Sequence, residues 1–108
     1  MASPAHFFSK YRFGAFELDA ASGELSKAGI PIKLRLQAIQ VLLMFVERAG
    51  QVVTREEIRG RLWTDDTFVD FQRSINFCVN QIRAALGDDA ENLIETVRGA
   101  GYKLAFKA

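Results

Sequence analysis

The sequence predicts an α+β domain in which a small antiparallel sheet precedes three helices and a β-hairpin closes the chain. Three observations carry this reading. Short aromatic and apolar runs punctuated by turn residues stand at the front, three later stretches repeat apolar residues at steps of three and four, and an alternating segment at the end is broken by Gly99, Ala100 and Gly101. With 108 residues the chain is long enough for one core and too short for two.

After an N-terminal tail expected to be flexible over residues 1–10, the domain is expected to occupy residues 11–108. Tyr11, Phe13 and Phe16 to Leu18 read as one short strand, ended by the turn residues Asp19 to Gly23. Glu24 to Lys27 is a second strand. Ala28 and Gly29 turn the chain into Ile30 to Leu34, where Pro31 demotes the run to a short or edge strand. From Arg35 to Ala49 the residues Leu36, Ile39, Leu42, Leu43 and Val46 line one helical face, and Gly50 stops the helix. Gln51 to Val53 is an extended link. Thr54 lies three residues before Glu57, the spacing of a capping box, so a second helix is expected from Arg55 to Trp63 with Ile58 and Leu62 inward. Thr64 to Asp70 has no period and reads as a loop. A third helix from Phe71 to Leu86 buries Ile75, Val79, Ile82 and Leu86 with Cys78 beside them, and Gly87 ends it. Leu93 to Phe106 is then a hairpin with a glycine-rich tip.

Lys and Arg number 14 against 13 Asp and Glu, a net charge of +1 that neither declares nor excludes a nucleic-acid binder. The position of the bases decides, and it is informative in the third helix. With Ile75, Val79 and Ile82 inward, Arg73, Phe77, Asn80, Gln81 and Ala84 point outward, with Ser74 and Arg83 on the flanks. A helix that only faced water would carry Glu and Lys pairs, whereas this one has no acid. Amides, a short hydroxyl and arginines are the side chains that read major-groove base edges. An ordinary surface with one exposed Phe, or a helix packed on a partner protein, accounts for the same face. Arg98 beside the glycine tip adds a basic group on a narrow ribbon, a shape that suits a minor groove. Two helices joined by a short turn and followed by a hairpin make a helix-turn-helix with a wing.

The run Gln51-Val-Val-Thr-Arg-Glu-Glu-Ile, then Leu62-Trp63, then Ile82-Arg-Ala-Ala-Leu-Gly-Asp-Asp, and finally Ile94-Glu-Thr-Val-Arg-Gly-Ala-Gly-Tyr102 resembles the winged helix-turn-helix effector domain of OmpR/PhoB-type transcriptional regulators. The resemblance spans residues 11 to 107. It implies a four-stranded front sheet, three helices and a C-terminal hairpin, with the third helix in the major groove of double-stranded DNA and the hairpin as the wing. By position it implies DNA contacts from Arg73, Ser74, Phe77, Asn80, Gln81 and Arg83, from Thr96, Arg98 and Tyr102 on the wing, and from Trp63 near a backbone phosphate. Many relatives have two consecutive arginines where this chain has Asn80 and Gln81, a departure that bears on the base sequence read and on the affinity, and not on the class. The loop with Asp65, Asp66 and Phe68 corresponds to a segment that touches RNA polymerase in members that activate transcription; a polar connector is the alternative. The resemblance also implies a tandem homodimer on direct repeats. No receiver domain precedes the module, which is similar to the front end of a ToxR/CadC-like arrangement, so the chain is open to being a fragment of a longer protein.

Other chemistries find no support in the residues. His6 is the only histidine and sits in the tail, so no nucleophile system assembles and an enzyme is not expected. One Cys allows no internal disulfide, and no Cys/His cluster suggests zinc; Cys78 reads as a small buried hydrophobe in a reducing, cytoplasmic setting. Asp88, Asp89 and Glu91 lack the spacing of a calcium loop, so neither metal nor cofactor is expected. No apolar run reaches 18 residues and the first ten residues are no signal peptide, so no membrane contact is expected within the chain. The competing function is a protein-interaction module of winged-helix shape, with Phe77 and the loop acids as its adhesive surface.

Overall fold

The computed structural model describes residues 10–62, 71–87 and 93–105. Its front is an antiparallel meander of β1 (Lys10–Phe13), β2 (Phe16–Asp19), β3 (Glu24–Lys27) and β4 (Ile30–Ile32), neighbours in space in that order. The run expected as one strand from Tyr11 to Leu18 is therefore two. In a continuous strand residues 13 and 16 would point to opposite faces. Both phenylalanines are instead buried and stacked with ring centroids 5.6 Å apart, because Gly14, at φ +61, reverses the chain and pairs Phe13 with Phe16. Asp19 ends the hairpin as expected, its carboxylate accepting from the backbone N–H groups of Ala21 and Ser22 at 2.9 and 3.3 Å. Across the sheet Tyr11, Leu18, Leu25 and Ile32 form one row that faces the core. Pro31 lies in the edge strand, where a missing N–H is tolerated.

Helix α1 (Leu36–Glu47) packs against the later helices and, through Ile39 beside Gly23, against the sheet. Covered on two sides, it buries Ala38, Ile39, Val41, Leu42, Met44, Phe45 and Val46. The buried arc is rotated away from Leu36 and Leu43, which the one-face pattern placed in the core: Leu36 is 69% exposed and Leu43 only partly buried. The link after α1 is also more than a link. Val53 and Thr54 form β5, which joins β6 (Ile94–Val97) and β7 (Gly101–Leu104) in a second sheet of order β5-β7-β6. The pairs Val53 with Tyr102 and Thr54 with Gly101 tie the hairpin to the start of α2 (Arg55–Leu62).

The capping box forms in both directions, the Thr54 N–H donating to Glu57 Oε1 at 3.0 Å and the Glu57 N–H to Thr54 Oγ1 at 3.1 Å. Arg48, just past α1, donates to the Glu57 carboxylate and to the Val52 carbonyl, joining the end of one helix to the cap of the next. Ile58 is fully buried and Leu62 partly so. Helix α3 (Phe71–Leu86) has the expected bounds and buries Ile75, Cys78, Val79, Ile82 and Leu86. Burial pushes the Cys78 thiol up from its ordinary value, as suits an inert core sulfur. Among the described residues no helix is long and apolar enough to cross a membrane.

A Cβ on Gly101 would lie 2.2 Å from the Val53 carbonyl oxygen and 2.9 Å from the Thr54 Cα, both backbone atoms, and its φ of +153 disfavours L side chains. Gly101→Ala should therefore lower stability by about 2–3 kcal/mol, roughly 10 °C or more in Tm for a domain this small. Gly60 in α2 has open space around it, so Gly60→Ala should raise stability by about 0.5–1 kcal/mol. Paired thermal melts check both signs, and a Gly101→Ala protein as stable as the parent would refute the close approach. The Thr54 N–H, and after it the Arg48 guanidinium, hold the Glu57 carboxyl below its ordinary range. A lowered folded-state value gives stability that is present above the ordinary carboxylate value and is lost as the pH falls through the folded one. Melts from neutral to acidic pH should show a decline at the acid end that Glu57→Gln flattens while keeping the cap. An unchanged acid limb in that variant would exclude Glu57 as the group responsible.

Candidate nucleic-acid interface

The candidate surface is built on α3, whose apolar stripe fixes which residues face out. Arg73, Phe77, Asn80 and Ala84 are exposed, while Ser74, Gln81 and Arg83 are half-buried on the flanks. Each flank is anchored to a different part of the fold. On one side the Arg35 guanidinium lies over the Phe77 ring at 5.4 Å, and α3 with the segment after β4 encloses a groove of about 780 Å³ lined by Leu34, Arg35, Gln81, Ala84 and Ala85. Phe77 is thus 49% exposed but partly shielded by a cation, and Gln81 leans towards this groove. On the other side Arg83 Nη2 donates to Thr96 Oγ1 at 2.6 Å, which couples the end of α3 to the first strand of the hairpin.

The hairpin turns through Arg98, Gly99 and Ala100, closed by the Ala100 N–H donating to the Val97 carbonyl at 2.9 Å. Arg98 and Thr96 are exposed there. Glu95 and Lys103 face each other across the ladder at 3.9 Å. Between the tip and the start of α2 lies a groove of about 420 Å³ bordered by Thr54, Arg55, Thr96 and Tyr102.

Tyr102 is one of the three wing residues expected to touch DNA. It is only 5% exposed, its ring packs at 6.1 Å from Phe45, and the sheet register turns it inward beside Val53. What it offers is a hydroxyl at the base of the interface, accepting from Arg55 and donating to Asn76 Oδ1 at 3.3 Å. Tyr102 is thereby a positioning residue for α3. Trp63 and the loop residues Asp65, Asp66 and Phe68 lie outside the described residues.

Four residues of this surface escape the pattern analysis: Arg55, Arg59, Gln72 and Asn76. Arg55, the first residue of α2, reaches across to α3: its Nε donates to Gln72 Oε1 at 2.6 Å, and its Nη2 to the Gln72 carbonyl at 3.1 Å and to Asn76 Oδ1 at 2.8 Å. The guanidinium also lies over the Tyr102 ring at 5.5 Å. Helical spacing places Gln72 and Asn76 one turn apart on α3, yet nothing local singles out Arg55, which is 17 to 47 residues from its partners. A second cation, Arg59, covers the Phe71 ring at 4.3 Å and closes the α2–α3 corner. Among the described residues no group of His, Cys, Asp and Glu is placed to hold a metal ion.

The family described as "Transcriptional regulatory protein, C terminal" matches residues 29–104. Transcriptional regulatory protein AfsQ1 of Streptomyces coelicolor is 32% identical over 94 residues, covering 85% of this chain and 41% of AfsQ1. CseB of the same species is 36% identical, covering 85% of this chain and 38% of its own length. The chain thus spans about two fifths of the curated relatives it matches. Among solved structures, the response regulator DrrB of Thermotoga maritima, an OmpR/PhoB homolog, superposes with a TM-score of 0.78 at 32% identity, over 93% of this chain and 45% of DrrB. The RstA DNA-binding domain of Klebsiella pneumoniae, solved in complex with its RstA box, shares the fold with a TM-score of 0.74 at 24% identity, over 89% of this chain and 96% of that domain. The sheet, the three helices and the hairpin sheet have the arrangement of these winged helices, and the chain belongs to the OmpR/PhoB-type transcriptional-regulator C-terminal family, a family of DNA-binding and not catalytic domains.

Proposed function

We propose that this domain binds double-stranded DNA sequence-specifically in transcription regulation, with α3 in the major groove and the β6–β7 wing at the minor groove or backbone. The observation that carries the reading is one continuous surface: an acid-free α3 face with Arg73, Phe77 and Asn80, joined through Arg83 and Thr96 to a hairpin that ends in exposed Arg98. The fold neighbour RstA, a DNA-binding domain solved in complex with its RstA box, supports DNA binding as the reading. Ser74 and Gln81 border the contact, and Trp63 meets a backbone phosphate. Asp65, Asp66 and Phe68 form the surface offered to RNA polymerase. Two copies bind in tandem on direct repeats, since a net charge of +1 leaves a single copy with few phosphate contacts. The setting is cytoplasmic, where the DNA is.

Binding to duplexes across a salt series tests the class, because phosphate contacts make log K fall with log salt whereas an apolar protein interface does not. Arg98→Ala should weaken binding to most sequences alike and reduce the salt slope by about one, with the thermal transition intact. Normal binding by that variant at two salt concentrations would remove the wing from the interface. Asn80→Ala should relax the preference at one or two positions by roughly 1–3 kcal/mol while non-specific binding persists. Ile82→Ala supplies the contrast, since loss of that buried side chain should cost about 2–5 kcal/mol of stability and lower all binding through unfolding.

A further inference from the structure

Resting on the DNA-binding reading above, we infer that Asn76 is a specificity-determining residue that presents only N–H donors to the major groove, because Arg55 and Tyr102 commit its oxygen. A guanidinium has five N–H donors and no acceptor, so any amide facing it must turn its oxygen towards it. Asn76 Oδ1 takes Arg55 Nη2 at 2.8 Å and the Tyr102 hydroxyl at 3.3 Å, and Gln72 Oε1 takes Arg55 Nε at 2.6 Å. The orientation of both amides is thus set from beneath the helix. Asn76 is itself exposed on α3, one turn from Arg73 and from Asn80, so the amide nitrogen is the half of the side chain left for a base.

This polarity changes what Asn76 can read. A free asparagine pairs with adenine through one donor and one acceptor. Asn76 lacks the acceptor, so it fits edges that offer acceptors, guanine N7 and O6, thymine O4 or, through a single bond, adenine N7, and it opposes cytosine, whose major-groove group is the N4 donor. Asn80 has no such clamp among the described residues and keeps both halves of its amide for pairing. Two asparagines on one helix face therefore differ in base preference, and the difference originates in a residue on another helix. Arg55 acts as a positioning residue in this scheme, since its guanidinium works through the amides it orients.

Selection from a randomised duplex library with the parent protein, Asn76→Asp and Asn76→Ala tests the inference. Asn76→Asp keeps a partner for Arg55 and turns the outward atom from donor to acceptor. It should move one position of the selected motif to cytosine, the base the parent opposes, with a preference of about five- to tenfold at that position. The readout is base identity, because the added negative charge lowers affinity for all duplexes alike. Asn76→Ala should lose preference at the same position only. Arg55→Met, provided its thermal transition persists, should let that position accept both kinds of edge; if it unfolds, Asn76→Asp decides. A parent motif that Asn76→Asp reproduces at every position would overturn the inference alone, while a parent protein that selects no motif would overturn the DNA-binding reading and this inference with it.

Discussion

The close approach of two backbones at Thr54 and Gly101 is the constraint on which the rest of this structure depends. A two-stranded hairpin is marginal in water, and here β6 and β7 gain a third strand because β5 pairs with β7. That pairing needs a residue without a Cβ at Gly101, where an added carbon would sit 2.2 Å from the Val53 carbonyl oxygen. Thr54 is at once a member of the ladder and the cap of α2, so the wing and the helix-turn-helix share a residue. The same register brings Tyr102 opposite Val53 and its hydroxyl under α3. Any shift of one strand along the other would move the wing tip, the start of α2 and the support of α3 together.

On that frame the charged groups divide by task. Arg48 and Glu57 join α1 to the α2 cap, Arg61 reaches Glu47 at 3.5 Å, and Arg12 meets Glu17 at 3.3 Å. Such exposed pairs contribute little to stability, and their effect is to leave net basic character elsewhere. Arg55 is different, since its hydrogen-bond partners are neutral oxygens from α3 and β7. It fixes the angle between α2 and α3 without cancelling its charge, close to where a polyanion would lie. A domain with a net charge of only +1 can in this way concentrate positive potential on one face.

Local spacing made much of this legible. The period of α3 gives its bounds and its buried stripe because a helix with one covered side leaves a clean three-and-four repeat, and the Thr54–Glu57 box is a contact over three residues. The turn at Gly14 was not legible as a strand break, since the apolar run on either side of it is uninterrupted in character. Only the packing of Phe13 on Phe16 shows that the chain doubles back there.

Local spacing along the chain carries the element order, the acid-free face of α3, the cap of α2 and the basic group at the hairpin tip, because each depends on side chains within one or two turns of one another. Tertiary structure decided the rest. The exposure of Leu36 follows from the two layers that cover the opposite side of α1, the burial of Tyr102 from its pairing with β5, and the roles of Gln72 and Asn76 from an arginine 17 and 21 residues away. Contacts of that separation leave no period in the sequence, since they are selected by where whole elements come to rest and not by the spacing within any one of them.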